Sequence, residues 1–93
     1  MRGYTLDKDD YLLRLRKIEG QVRGLQRLVE DDTYCIDILT QIASVNAALQ
    51  KVALGLVDHH LRYCVMDAME TDPEVAQQRL TDATLAVQRL LRL

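Results

Sequence analysis

Apolar residues recur at steps of three and four along most of this chain. Leu12, Leu15, Ile18, Val22, Leu25 and Val29 form one stripe, which predicts an amphipathic helix over about residues 7–30. The link Glu30-Asp31-Asp32-Thr33 is short and polar, and Asp32 or Thr33 suits the N-cap of a second helix. Leu39, Ile42, Val45, Leu49, Val52, Leu56, His60 and Cys64 carry the same spacing onward, so the second helix reads unbroken over about residues 33–69. Thr71-Asp72-Pro73-Glu74 opens a third, over about residues 73–92. Asp72 suits its N-cap, and Pro73 falls where a missing N–H does no harm. Gly20 and Gly24 lie four apart in the first helix. Each costs about 1 kcal/mol there relative to Ala, which predicts a close crossing with another backbone.

The expected fold is all-α: a single domain spanning residues 1–93, with three helices and a long central one. At about 1.5 Å per residue the central helix is roughly 54 Å long. A 93-residue globule cannot cover both of its ends, so it must pack against another subunit. With no Trp, no Phe, one Pro and four Gly, a turn-rich β-sandwich or barrel is excluded. Hydrophobic residues at 48% and charged ones at 28% exclude disorder. No apolar run approaches the roughly 18 residues of a membrane span. The first residues form no signal peptide, so a cytoplasmic location is expected.

Net charge is −2, yet Tyr11 to Leu28 holds five basic residues, Arg14, Arg16, Lys17, Arg23 and Arg27, against the single acid Glu19. Such a run is usually a solvated face. Here it exceeds what solubility needs, and Lys51 can extend it. Arg14, Arg16, Lys17, Arg23 and Lys51 are the candidate DNA contacts. No helix-turn-helix, zinc finger or zipper pattern accompanies them.

Cys35, His60 and Cys64 are the candidate ligands. His60 and Cys64 are four apart, on one helix face. Cys35 lies 25 residues before His60, roughly 37 Å away along a straight helix. An antiparallel pair of such helices, forming a four-helix-bundle core, sets Cys35 of one chain opposite His60 and Cys64 of the other. Twofold symmetry then makes two identical sites at the dimer interface, one metal ion per subunit. Singly, a buried Cys more often fills space; the joint spacing favours ligation. Two thiolates and an imidazole suit Cu(I), and also zinc. Zinc usually takes four ligands, so a trigonal Cu(I) site fits better. His59 points away from that face and reads as solvated or backbone-paired. No nucleophile–base pair or phosphate-binding loop is present, so no enzyme is expected.

Arg14 to Leu25 (RLRKIEGQVRGL), Tyr34 to Ile42 (YCIDILTQI) and His59 to Cys64 (HHLRYC) resemble the CsoR/RcnR/FrmR family of bacterial metal-sensing repressors. The resemblance covers about residues 10–91, and the Cys–His–Cys set is that of the family's copper-sensing branch. Nickel and cobalt sensors carry His at the position of Cys64, formaldehyde sensors lack a thiol there, and persulfide sensors lack the His. The resemblance implies a homotetramer, a dimer of antiparallel homodimers. It implies a metal-free form that binds double-stranded operator DNA and is released by Cu(I), derepressing copper efflux or resistance genes. It places Arg14 and Lys51 at DNA-contacting positions and Tyr34 beside the ligands. Arg79 stands where the branch can carry a Glu that supports the ligand His. Two rival readings are a repressor sensing reactive sulfur or oxidants through the same cysteines, and a cytosolic copper buffer.

Overall fold

The computed structural model describes residues 4–92, the side chain of Leu6 excepted. Met1–Gly3 and Leu93, which the single-domain reading includes, lie outside the described residues. A 3-10 turn (Thr5–Asp7) precedes α1 (Lys8–Glu30) and α2 (Cys35–His59). A π-helical turn (His60–Val65), α3 (Met66–Thr71) and α4 (Pro73–Leu91) follow. The described residues contain no strand, in keeping with the all-α class that the periodicity predicts. Two compact units result: Lys8–Ala53, and Leu54–Leu93 together with Met1–Asp7.

In the first unit α1 and the leading part of α2 form an antiparallel hairpin. Its core is Ile18, Val45 and Val52, with Tyr11, Leu25 and Ala48 packed against them. The reversal is made by the end of α1. The N–H of Thr33 donates to the Leu28 carbonyl at 3.0 Å and that of Asp32 to the Val29 carbonyl at 3.1 Å, while Asp32 adopts φ 55°. This is the two-bond left-handed termination of a helix, with Asp in the place Gly usually takes. Asp32 and Thr33 therefore close α1. The sequence expectation that one of them caps α2 is corrected: Tyr34 precedes that helix, and its carbonyl accepts from the N–H groups of Asp37 and Ile38. In so short a link, stopping one helix takes the residues that could have started the next.

The close crossing expected at Gly20 and Gly24 is not made within the chain, because a Cβ at either would meet nothing within 4 Å. The helices meet through Ile18 and Leu25 instead.

In the second unit α4 returns antiparallel to the helical run that ends at Thr71. The reversal follows the sequence reading. Asp72 is extended, Pro73 begins the helix, and Asp72 Oδ1 accepts from the N–H groups of Glu74 at 3.2 Å and Val75 at 3.4 Å. Small buried residues, Val65, Ala68, Ala76 and Ala83, let the backbones come close. The expected unbroken helix to about residue 69 needs one correction. Over His60–Val65 the bonding widens to five residues, as in the Met66 N–H donating to the Leu61 carbonyl. The three-and-four apolar spacing continues through this turn, so periodicity could not reveal it.

Large apolar side chains remain in solvent in both units, among them Val29, Leu39, Leu54 and Met69, each at least 59% exposed.

Candidate metal centre and nucleic-acid interface

The π turn carries two of the three predicted ligands. His60 and Cys64 are both half-buried, and the Cys64 thiol is free of any disulfide. The His60 ring bonds through Nε2 to the main-chain oxygen of Arg79 at 2.8 Å. A carbonyl can only accept, so Nε2 carries the hydrogen and the neutral ring keeps its lone pair on Nδ1. From the same residue, Arg79 Nη1 donates to the Cys64 carbonyl at 2.9 Å. A widened turn lacks the regular pairing of an α-helix, and the guanidinium supplies a donor there. His60 also borders a cavity of about 270 Å³ with Leu56, Val57 and Ala83.

Cys35 is the third predicted ligand. It is the exposed first residue of α2 and belongs to the first unit, whereas His60 and Cys64 belong to the second. Among the described residues, no three His, Cys, Asp or Glu side chains of the chain group together as a metal site. Tyr34 is 68% exposed beside Cys35, and the ring partner of His60 within the chain is Arg79. The donor chemistry suits a soft ion: two thiols, and an imidazole whose remaining nitrogen is oriented by the bond at the other.

His59 departs from its sequence reading as a solvated or backbone-paired residue. Its side chain is only 16% exposed and Nε2 lies 2.9 Å from Asp7 Oδ2. Its ring stacks on Tyr63, with centroids 5.5 Å apart. The preceding 3-10 turn delivers Asp7, which no helical periodicity could forecast.

The predicted DNA residues divide into two groups. Arg14, Lys17 and Lys51 line one open groove of about 360 Å³ in the first unit, with Asp10, Gln21 and Ala48. Arg14 Nε donates to Asp10 Oδ2 at 2.9 Å. Both side chains are more than half exposed, and such a pair is worth about 0.3–0.5 kcal/mol. Arg16 and Arg23 lie about half a turn round α1 from Arg14, at roughly 3.6 residues per turn. Neither lines the groove, and Arg23 pairs with Glu19 at 3.6 Å. The sequence supplied the cations; the pairing of α1 with α2 selects which of them Lys51 joins.

Comparison with known proteins gives the family. Residues 7–89 match the model of a family described as metal-sensitive transcriptional repressors. The chain is 51% identical over 90 residues to the copper-sensing transcriptional repressor RicR of Mycobacterium tuberculosis, covering 97% of this chain and 94% of that protein. It is 51% identical over 77 residues to the copper-sensing transcriptional repressor CsoR of Bacillus subtilis, covering 82% and 76%. Its fold is similar, at a TM-score of 0.86 and 36% identity, to the crystal structure of the copper-sensing repressor CsoR with Cu(I) from Geobacillus thermodenitrificans, over 95% of this chain and 90% of that one. A family match over most of the length, with relatives this similar, means that the chain belongs to the metal-sensitive transcriptional repressors.

Proposed function

We propose that this protein is a Cu(I)-responsive transcriptional repressor whose metal-free form holds operator DNA and whose copper-loaded form releases it. The observation that carries the reading is the π turn, where His60 and Cys64 share one turn and the imidazole is oriented through Nε2. Cu(I), one per subunit, would be held by His60 and Cys64 with Cys35 of a second copy. Tyr34, adjacent to Cys35, would come to the same site from that copy. Such a site requires a homodimer. The large apolar side chains left in solvent on both units favour assembly, since monomers rarely expose so much, and a homotetramer follows if dimers pair.

Arg14, Lys17 and Lys51 form the proposed phosphate-binding face, with Arg16 and Arg23 contributing at longer range. Release follows from linkage: Cu(I) must bind the low-affinity DNA state better than the DNA-bound one. No helix among the described residues is long and apolar enough to cross a membrane. A repressor of this kind works where the chromosome is, in the bacterial cytoplasm.

The test is an anaerobic titration of promoter duplex with the protein, with and without Cu(I), repeated with Zn²⁺ and with persulfide. Release by Cu(I) alone supports the reading. Release by persulfide alone favours the reactive-sulfur repressor. Copper binding without salt-dependent DNA binding leaves a copper buffer.

A further inference from the structure

One residue outside the ligand set bonds to both ligand residues of the π turn. The Arg79 carbonyl accepts from His60 Nε2 at 2.8 Å, and its guanidinium donates to the Cys64 carbonyl at 2.9 Å. The bonds span 19 and 15 residues, so they tie the turn to α4 and contribute nothing to forming either helix. They differ in kind. The first uses the main chain and survives any substitution that leaves α4 helical. The second is wholly the property of the side chain. It reaches a backbone carbonyl in the turn where the helix has left α-type bonding.

We propose that Arg79 is the positioning residue of the copper site, its guanidinium holding the Cys64 end of the π turn against α4 while its carbonyl orients His60. This rests on the copper-sensing reading above. Groups that orient metal ligands typically change metal affinity about 10–100-fold when removed. Here the same residue anchors the ligand turn to a neighbouring helix. Any shift of His60 or Cys64 on metal binding is therefore resisted or passed on at Arg79. Arg79 therefore carries both a share of copper affinity and a share of the coupling to DNA.

Arg79→Met tests this, because Met keeps much of the length and the helix propensity while removing every donor. Arg79→Lys restores a single donor without the planar fork. Cu(I) affinity is read on the DNA-free protein by anaerobic competition with a chromogenic Cu(I) chelator. Affinity for a duplex of the promoter upstream of this chain's own gene is then read with and without confirmed Cu(I) loading. Helix content and oligomeric state are checked by circular dichroism and gel filtration. The expected result is Cu(I) affinity weaker by up to about 10-fold in Arg79→Met, the low end for supporting groups because the main-chain bond to His60 remains, partly recovered in Arg79→Lys. Metal-free DNA affinity should stay within about twofold of the parent, and copper should release less DNA. Parental copper affinity and parental release in Arg79→Met overturn the proposal. So does failure of Arg79→Met to fold or assemble, because Arg79 is then a general structural residue. Failure of the copper-sensing reading is distinguishable: there the unsubstituted protein itself lacks tight Cu(I) binding or copper-dependent release.

Discussion

In the unit Lys8–Ala53 the side chains that matter stand on two regular α-helices; in the unit containing Leu54–Leu93 they stand on a π turn tied to the next helix. Arg14, Lys17 and Lys51 line one groove of a packed helix pair, and in the proposed role their charges would act on phosphates over several ångströms. His60 and Cys64 must present particular atoms, and their orientation depends on bonds to Arg79. The difference follows from the ligands. A phosphate backbone is an extended field of charge, which tolerates flexible cations. A soft metal ion needs a fixed ring nitrogen and a fixed sulfur.

The largest effects should come from the proposed ligands, where the requirement is strictest. Cys35→Ala and Cys64→Ala homodimers should each lose high-affinity Cu(I), by more than the roughly 10–100-fold expected for a supporting residue. Co-assembled, the two variants should regain one intact site per dimer. Chelator competition on the mixed sample checks this, and no recovery would rule out a site shared between subunits.

His60→Ala separates binding from response within the same turn. Two thiols should still hold Cu(I), but copper should no longer release the promoter duplex. The lost coupling should be about 1–3 kcal/mol, or roughly 5–150-fold in DNA affinity. Operator titration with copper loading confirmed on the same sample decides it, since a ligand that binds both states equally shifts nothing.

The groove should respond in a graded way. Lys51→Ala or Arg14→Ala should weaken DNA binding across sequences and lower the slope of log affinity against log salt by about one unit each. Arg23→Ala, on the far face of α1, should do less. Equal effects from Arg23 and Lys51 would erase the distinction between groove and far face.

The two units should also differ in tolerance of packing changes. Ala83 is buried, at 9% exposure, and lines the cavity beside Leu56, Val57 and His60. Ala83→Leu sends a larger side chain toward the cavity that Ala83 shares with His60, and should disturb copper binding, read by chelator competition, more than DNA binding.

The smallest effect belongs to the turn between α1 and α2. Asp32 holds φ 55°, a conformation that costs a non-glycine residue roughly 1–2 kcal/mol. Asp32→Gly relieves that but gives the unfolded chain more freedom. A net gain of up to about 1 kcal/mol is expected, read as a higher Tm with copper and DNA affinities unchanged.

Much of this molecule is written in short-range pattern. The stripe from Leu12 to Val29, the Asp72-Pro73 start of α4, the spacing of His60 and Cys64 and the excess of cations in α1 each depend on residues within a few turns of one another. The sequence alone therefore determines the helices, the soft donor set and the basic segment. It does not reveal that Asp32 ends α1, because competing caps in one short link are resolved by which helix stops first. Nor does it reveal the π turn, because a one-residue widening leaves the apolar stripe intact. Tertiary packing alone decides that Lys51 joins Arg14 and Lys17, and that His59 meets Asp7. It likewise decides that Arg79 grips the ligand turn, because that contact depends on how far α4 has slid along the preceding helix. The residues buried along that run and α4, Val65, Ala68, Ala76 and Ala83, come from stretches far apart in sequence, and no local pattern encodes their register.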